Sequence, residues 1–276
     1  MSKITCAVCP HACSLEEGQT GFCGARSNRG GMICADSYAK VTAIALDPVE
    51  KKPLRRFFPG SHVLSVGSYG CNLRCPFCQN HQISMAKREE DHAEILSPKT
   101  LTDQALKLKA RGNIGIAFTY NEPLICPEYV LDCARLNHQN GLKNIVVSNG
   151  YTNPNTLEQL LPVLDAMNID LKSFSAAFYR NIAGELEEVK RTISLAAAVC
   201  HVEVTTLVIP GENDSVEEMD RLSGWLAEQN PEIPLHVTRF FPQYKMSDRL
   251  PTPAQTIHQL AKTAQKNLRY VYEGNL

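Results

Sequence analysis

The sequence predicts an α/β fold built from repeated strand–helix units. From Val63 onward, short apolar runs of strand length alternate with longer amphipathic segments of helix length, which is the pattern of βα units around a parallel sheet. The chain has 276 residues, 43% of them hydrophobic, enough for one large core. A cysteine-rich stretch precedes this pattern. We therefore expect a cysteine-rich, metal-binding N-terminal segment, 1–60, followed by a main domain, 61–276.

The elements of the main domain follow one another at regular intervals. The predicted strands are 63–68, 114–119, 144–148, 167–171, 202–208 and 235–239, with a last strand at 269–272. The predicted helices are 99–111, 128–140, 156–164, 187–200, 216–229 and 253–265. Six or seven units are fewer than the eight of a closed barrel. The pattern alone is compatible with an open partial barrel or a flat doubly wound sheet, and in both the loops after the strands should line the functional site.

Composition excludes some classes of partner. Lysine and arginine together number 28 against 29 acidic residues, a net charge of -1, so no global charge favours nucleic acid or an anionic membrane. No apolar run approaches the roughly 20 residues that span a bilayer, and no export signal precedes the first cysteines. We expect a cytoplasmic monomer. Its eleven cysteines then fit reduced, metal-bound thiols better than disulfides.

Three cysteines follow the first predicted strand in the pattern Cys71-x3-Cys75-x2-Cys78. Iron–sulfur clusters and structural zinc usually take four protein ligands. The trio therefore indicates a cluster with one metal corner left free for another ligand. A zinc knuckle completed by His81 is the alternative, but His81 lies too close in sequence to favour a relaxed tetrahedral site.

A second group of cysteines opens the chain and is interspersed with glycines that permit tight turns. Its four members, Cys6, Cys9, Cys13 and Cys23, could close a metal site that is structural or relays electrons. Zinc and an iron–sulfur cluster both fit this spacing, and thiols without any metal are the third alternative. Cys34 is interpreted as a buried small apolar residue.

Polar residues follow nearly every predicted strand. Glu122 comes at a strand end that Pro123 terminates, although a surface carboxylate would look the same. Asp170 and Lys172 alternate with apolar residues and so share one face, either as a site or as a plain ion pair. Ser148 and Asn149 belong to a polar turn after the third predicted strand. Asn213 follows the fifth predicted strand and could cap the next helix.

The cysteine trio, with Phe77 directly before its third member, resembles the signature of radical S-adenosylmethionine (SAM) enzymes. The resemblance is closest to the pyruvate formate-lyase activating enzymes and, within them, to the AmmeMemoRadiSam group. The stretches that carry it are 6–13, 47–54, 78–80 and 270–275, and those relatives often continue into a further cysteine-bearing tail. It implies a partial (β/α)6 TIM-like barrel and a [4Fe-4S] cluster on Cys71, Cys75 and Cys78, with SAM on the fourth iron.

The same resemblance implies roles for the strand-end residues. Glu122 would hold the ammonium group of SAM, although Tyr120 and Asn121 stand where the family has two glycines, so Asn121 would bind through its amide. Asp170 and Lys172 would contact the ribose and carboxylate. The full set of expected cofactor contacts is Phe77, Asn121, Glu122, Ser148, Asn149, Asp170, Lys172 and Asn213, and no catalytic side chain is assigned.

The activity that the resemblance implies is radical chemistry. An electron donor such as flavodoxin or ferredoxin would reduce the cluster, and SAM would be cleaved to methionine and a 5'-deoxyadenosyl radical that abstracts a hydrogen atom. We expect a protein substrate, as in glycyl-radical enzyme activation. The alternatives are AmmeMemoRadiSam-type chemistry on a small molecule or another protein side chain and, from a different class, a non-catalytic iron–sulfur electron-transfer module.

Overall fold

The computed structural model describes residues 3–86 and 93–276, and its main feature is one large sheet. The strands, in chain order, are β1 (Ile4–Thr5), β2 (Ser14–Leu15), β3 (Arg26–Arg29), β4 (Met32–Ala35), β5 (Lys40–Val41), β6 (Ala43–Pro48), β7 (His62–Gly67), β8 (Glu94–Ile95), β9 (Asn113–Phe118), β10 (Lys143–Ser148), β11 (Ala166–Asp170), β12 (His201–Val208), β13 (Leu235–Arg239) and β14 (Val271–Gly274). Eight of them form the sheet, in the order β14-β13-β12-β11-β10-β9-β7-β6.

The sheet confirms the predicted α/β class and partial TIM-like barrel. In this sheet β7 and the strands from β9 to β14 lie parallel and follow chain order, whereas β6 pairs antiparallel with β7. The short strand β8 lies outside it and pairs antiparallel with β5. Within the described residues, seven parallel strands replace the expected six, because the last predicted strand also joins the sheet. The sequence did not predict β6, since the prolines and charges of 47–54 favoured a connection. Pro48 is tolerated there because β6 is an edge strand. The boundary near residue 60 stays a prediction, with β6 lying before it and β7 after it.

Helices lie between the parallel strands, close to the predicted positions. They are α1 (His81–Ser84), α2 (Pro98–Lys107), α3 (Pro127–Gln139), α4 (Pro154–Leu160), α5 (Ala176–Asn181), α6 (Leu186–Ala197), α7 (Val216–Gln229) and α8 (Ala254–Ala264). The helix predicted to reach residue 164 ends at Leu160 and continues as a 3-10 turn containing Pro162. The short helices α1 and α5 were not predicted. No helix in residues 3–86 and 93–276 is long and apolar enough to cross a membrane.

The two faces of the sheet bury different material, because successive residues of a strand point to opposite sides. Leu64, Ile116 and Val146 belong to the large core that includes α2 and α3. Their neighbours Val63, Ala117, Ile145 and Ala166 belong to a second cluster with Val49, Leu54 and Phe57. The chain segment 49–60 therefore packs on the inner face of the barrel.

This inner segment also joins the two ends of the sheet. The backbone N–H groups of Arg55 and Arg56 donate to the carboxylate of Glu203 on β12, at 2.9 and 2.7 Å. The guanidinium of Arg56 lies 4.1 Å from the ring centroid of Tyr270 and donates to its hydroxyl at 3.1 Å. Segment 49–60 follows the edge strand β6, and Tyr270 directly precedes β14 at the opposite edge. The segment thus bridges the gap that an open barrel leaves.

Two short hairpins, β1–β2 and β3–β4, make up the cysteine-rich start of the chain. Arg26 on β3 attaches them to the main domain, since its guanidinium makes two bonds to the Glu128 carboxylate, at 2.9 and 2.7 Å. It also donates to the carbonyl oxygen of Ile125 at 3.1 Å. A buried arginine held in this bidentate way fixes orientation as well as position. The N-terminal segment is therefore anchored beside the loop that follows β9.

Candidate active site

A cavity of about 440 Å3 opens at the carboxyl ends of the parallel strands. The loop after β7 contributes the thiols of Cys71, Cys75 and Cys78 to its wall, and none of the three forms a disulfide. Cys75 is buried and the other two are half-buried. The structure therefore brings the predicted trio together at one cavity, where an open cluster corner would face a ligand-sized space.

Glu122, in the loop after β9, is the buried acid of this cavity and is only 2% exposed. Its carboxylate accepts hydrogen bonds from the Ser148 hydroxyl at 2.8 Å and from the backbone N–H groups of Asn149 at 2.8 Å and Leu124 at 2.9 Å. Burial raises the pKa of Glu122 to about 7, although these hydrogen bonds act to lower it. A cationic group in the cavity would stabilise the charged form.

Asn149 connects this acid to the cysteine loop. Its side-chain amide lies 3.6 Å from the Cys71 sulfur and donates to the Asn72 side chain at 2.9 Å. Its backbone N–H binds Glu122, as described above. Ser148 and Asn149 both line the cavity, and the strand β10 that ends in Ser148 is what aligns them.

Asp170 and Lys172, after β11, lie on the cavity wall as a pair, with 2.9 Å between Lys172 Nζ and Asp170 Oδ2. Burial alone would lower the pKa of Lys172, but the attraction of Asp170 outweighs it and raises that pKa above its usual value. The ion pair is thus present, and it lies on the wall of the cavity, while cofactor binding by these residues stays a prediction. Lys172 remains charged at neutral pH and can meet an anionic group.

Two further predicted cofactor contacts, Phe77 and Asn121, line the cavity and differ in their surroundings. Phe77 is buried, lines the cavity and lies 6.0 Å from the Phe178 ring. Asn121 also lines it, but its amide donates to the carbonyl oxygens of Tyr69 and Gly70 and accepts from Ser68 N–H. Asn121 therefore holds the cysteine loop in place.

Asn213 lies apart from the cavity wall. Its amide oxygen accepts from Ile209 N–H at 2.7 Å, and its amide nitrogen donates to the carbonyl oxygens of Lys172 and Leu207, at 2.7 and 2.9 Å. These bonds stabilise the loop after β12 and position Lys172. Direct contact of Asn213 with a cofactor stays a prediction.

Several cavity residues were not among the predicted contacts, among them Lys52 from the segment after β6, Tyr120 from the loop after β9 and Asn275 from the end of the chain. Tyr120 adopts a left-handed φ of 73°, and its hydroxyl donates to Asp47 at 2.9 Å. Lys52 is buried, lies 2.9 Å from Asp47 and 4.6 Å from the Tyr120 ring centroid. The charged stretch 47–53, which contains two prolines, could have indicated that Lys52 and Asp47 are buried, because charged side chains that pair with one another can be buried.

The N-terminal thiols of Cys6, Cys9, Cys13 and Cys23 line a separate, small cavity, and Cys34 is not among its lining residues. Among residues 3–86 and 93–276, no three histidine, cysteine, aspartate or glutamate side chains are arranged to hold a single metal ion. Neither the trio nor the group of four N-terminal thiols is arranged around a single ion. A multi-iron cluster separates its ligands more widely than one ion does, so the trio's arrangement is compatible with a cluster.

The main cavity fits the cofactors that the sequence resemblance implies. Three free thiols supply the donors that an iron–sulfur cluster takes. The volume of about 440 Å3 lies within the range of small-molecule sites. Glu122 presents an acid to an ammonium group, and the Asp170–Lys172 pair presents both charges to polar groups of a ligand.

Three known proteins are similar to this chain in sequence. An uncharacterized protein of Methanocaldococcus jannaschii is 38% identical over 279 residues, covering 100% of this chain and 82% of that protein. A pyruvate formate-lyase-activating enzyme of Clostridium pasteurianum is 29% identical over 52% of this chain and 63% of its own length. A GTP 3',8-cyclase of Pseudomonas putida is 29% identical over 52% of this chain and 44% of its own length.

A solved structure and a family model complete the comparison. SuiB of Streptococcus suis bound to S-adenosylmethionine matches 75% of this chain and 48% of its own with a TM-score of 0.57 at 14% identity, which shows a shared fold. The model of the radical SAM superfamily matches residues 65–223, more than half of the chain. The protein is a member of the radical SAM superfamily.

Proposed function

We propose that this protein cleaves SAM reductively at a [4Fe-4S] cluster held by Cys71, Cys75 and Cys78, and that the resulting radical abstracts a hydrogen atom from a protein substrate. The family implies the cluster and SAM. The observation that carries the residue assignment is the convergence of the three thiols with Glu122 on one cavity of about 440 Å3. When bound, the two cofactors supply one-electron cleavage of a sulfonium and an adenosyl radical.

The chain's own residues would bind and orient the cofactor. Glu122 would accept the ammonium group, since an ionised carboxylate forms its strongest hydrogen bonds with a cation. Lys172 would meet the carboxylate, and Asp170 would accept from ribose hydroxyls. Phe77 offers an apolar face for a purine. The inner segment around Lys52 forms part of the cavity wall, which would help to shield a radical from solvent.

The proposed protein substrate rests on the relatives named pyruvate formate-lyase-activating enzymes. This chain spans 63% of each of those two relatives, so their activity enters here as a proposal. A glycine backbone position on a partner chain is the expected target. The electron must come from outside the protein, and a one-electron donor such as flavodoxin or ferredoxin would supply it.

A small-molecule substrate is the second candidate, favoured by the similarity to a GTP 3',8-cyclase at the same 29% identity. The two candidates share the cofactor chemistry and differ only in what enters the cavity. Chemistry of the AmmeMemoRadiSam type falls under either one.

Anaerobic turnover tests the cofactor chemistry first. Cluster-loaded protein with SAM and dithionite should release 5'-deoxyadenosine and methionine, measured by chromatography. Cys75→Ala should abolish release, while Cys200→Ala, a cysteine away from both thiol groups, should keep it. Absence of 5'-deoxyadenosine from cluster-loaded wild type would instead favour a non-catalytic electron-transfer module.

The substrate class is tested separately. Adding a candidate glycyl-radical enzyme should produce a glycyl doublet in the electron paramagnetic resonance spectrum. If no such signal forms, and 5'-deoxyadenosine formation rises only when a metabolite is added, the small-molecule candidate replaces the first.

A further inference from the structure

The N-terminal thiols form a second pocket that the proposed activity does not use. Cys6, Cys9 and Cys23 are buried and Cys13 is half-buried, and all four are free. All four line one small cavity, so their side chains lie around a common space. The sulfur of Cys13 also accepts a hydrogen bond from Phe22 N–H at 3.4 Å. Backbone N–H groups aimed at sulfur are a feature of metal-bound thiolates.

The cavity that these thiols line has more room than a bare zinc ion fills. The cavity they line measures about 10 Å3, roughly the room that one water molecule occupies. Thiolates around zinc approach to about 2.3 Å from the metal and would leave no such room. The arrangement around a single ion is also missing from the described residues, as noted above. Four free thiols around a cavity with such room suit an iron–sulfur cluster, which takes four cysteine ligands.

The pocket lies directly against the loop that carries the trio. The carbonyl oxygen of Cys23 accepts a hydrogen bond from Cys71 N–H at 3.2 Å. This approach depends on Gly70, which has a left-handed φ of 86° and whose added Cβ would lie 2.6 Å from the same oxygen. One backbone hydrogen bond thus links a ligand of one thiol group to a ligand of the other.

A second connection runs through side chains. The Asn72 side chain interacts with the Cys9 thiol and favours its charged form, and the Asn72 amide oxygen accepts from the Asn149 amide at 2.9 Å. The same amide lies 3.6 Å from the Cys71 sulfur. Asn72 is buried, and His11 beside the pocket contacts its carbonyl oxygen at 2.7 Å. Two short routes therefore connect the pockets.

The outer side of the second pocket reaches the surface. Phe22, in its lining, is 38% exposed, and Cys13 is half-buried. Cys71 and Cys78 are half-buried as well, but they line the cavity that SAM would fill under the proposed function. With SAM bound there, the N-terminal pocket would be the remaining approach to the trio for an electron from a partner protein.

We propose that Cys6, Cys9, Cys13 and Cys23 hold an iron–sulfur cluster that receives one electron from a low-potential donor protein of the iron–sulfur or flavin class and passes it to the trio's cluster. The donor is oxidised by one electron, the outer cluster is reduced and reoxidised, and the inner cluster is reduced. No covalent bond forms or breaks, and no proton is needed. This relay rests on the proposed cluster at the trio, whereas binding of the outer cluster does not.

Metal content of the full chain tests the outer cluster. After anaerobic reconstitution, the wild type should hold about six to eight iron atoms, more than the roughly four of a single four-iron cluster. A Cys6→Ser/Cys13→Ser double variant should fall to about four. Cys34→Ser, in the same N-terminal segment but away from the pocket lining, should match the wild type.

A complementary variant keeps the N-terminal segment intact. Replacing Cys71, Cys75 and Cys78 by serine should leave about two to four iron atoms with matching sulfide, and a cluster signal in the electron paramagnetic resonance spectrum. If this variant holds one zinc ion or no metal, the outer cluster is refuted, and if the wild type then still holds about four iron atoms, the proposed function stands. Loss of folding in the double variant would not obscure this result.

The relay itself is tested by reduction kinetics. Stopped-flow absorbance should follow reduction of the trio's cluster by reduced flavodoxin and, separately, by dithionite. The ratio of the two rates should fall at least about tenfold in the double variant, a drop that a merely structural site would not cause. An unchanged ratio in a folded double variant that has lost the outer iron would refute the relay.

Discussion

Glu122 shows how one residue can join three elements. It stands at the end of β9, takes hydrogen bonds from the end of β10, and lines the cavity beside the cysteine loop after β7. Burial keeps its pKa near neutrality, at about 7. Because the donors around it are already aligned, the carboxylate can become charged when a cation arrives without moving.

Replacing Glu122 by glutamine should weaken SAM binding. The amide is close in shape but lacks the charge, and its NH2 group opposes one of the N–H donors, so we expect Kd to rise at least about tenfold. Isothermal titration of cluster-loaded protein measures this. Glu158→Gln, an exposed glutamate on α4, serves as the matched control. Equal affinities in both variants, with equal cluster content, would remove Glu122 from the binding site.

Tyr120 packs directly against Gly67. A Cβ added to Gly67 would lie 2.8 Å from the Tyr120 ring and 3.0 Å from both the Tyr120 Cβ and the Thr119 carbonyl oxygen. Gly67→Ala should therefore lower the free energy of unfolding by about 1–3 kcal/mol. The cost should be smaller in a Tyr120→Gly background, since two of the three contacts are gone. Urea unfolding of the four proteins measures the coupling, and strictly additive costs would contradict it.

Single residues were predictable where local spacing carries the chemistry. The spacing of Cys71, Cys75 and Cys78 needs no knowledge of the fold, and Glu122 and Asp170 follow from their places at strand ends. The charges of 47–53 could have signalled that Lys52 is buried, but nothing local predicted that Lys52 or Asn275 lines the cavity. They reach the cavity because segments distant in sequence meet when the barrel closes, and no local pattern encodes that meeting.

At the scale of elements, β9 and β10 approach each other closely at one point. Gly115 on β9 permits this, because an added Cβ would lie 1.9 Å from the carbonyl oxygen of Lys143 on β10. No side chain could yield there, since the obstacle is backbone. By contrast, Gly224 on α7 meets nothing closer than 4.0 Å.

These two glycines give opposite predictions for the same substitution. Gly115→Ala should separate the strands and destabilise the protein by at least about 3 kcal/mol. Gly224→Ala should stabilise it by roughly 0.5–1 kcal/mol, because alanine is the better helix residue. Chemical unfolding followed by circular dichroism measures both. A neutral Gly115→Ala would mean that β9 and β10 can separate at little cost.

Elements were predictable where one face is apolar and the ends carry caps or prolines. Ser215 accepts from Glu218 N–H and begins α7, and this helix was predicted with its observed bounds. The strand β6 was missed because its inner-face partners come from segment 49–60, which has no helical or alternating pattern of its own. Tertiary packing, not local preference, makes β6 a strand.

At the scale of the whole molecule, Glu203 holds the barrel together from inside. Burial alone would raise its pKa, but hydrogen bonds from His201 and His236 and from the backbone of Arg55 and Arg56 outweigh this and lower the pKa to about 2. The carboxylate is 0% exposed, so these partners replace water completely. One buried charge thus connects the inner segment to two adjacent strands.

The free energy of unfolding should therefore decrease as pH falls through a defined range. A carboxyl pKa lowered from 4.5 to about 2 contributes stability above pH 4.5, on the order of 3 kcal/mol. That stability should be lost as pH falls from about 4.5 towards 2. Urea unfolding, followed by the fluorescence of the single tryptophan, Trp225, measures it.

One substitution tests whether the Glu203 carboxylate causes this acid dependence. Glu203→Gln should destabilise the protein at pH 7 by about 3 kcal/mol, because it leaves buried donors unpaired, and should flatten the acid dependence. Glu187→Gln, which removes an exposed ion pair with Lys190, should change stability by less than about 1 kcal/mol. Acid dependence that persists unchanged in Glu203→Gln would assign the effect to other carboxylates.

The bridge between Arg56 and Tyr270 joins residues 214 positions apart, and this has a consequence for biosynthesis. While the chain is emerging from a ribosome, the cysteine loop, Glu122 and Asp170 are exposed to solvent long before β14 exists. Closing a loop of such sequence separation costs chain entropy and slows folding. The wall of the cavity therefore closes only once β14 has been made, and until then the thiols stay open to incoming metal and to oxidants alike.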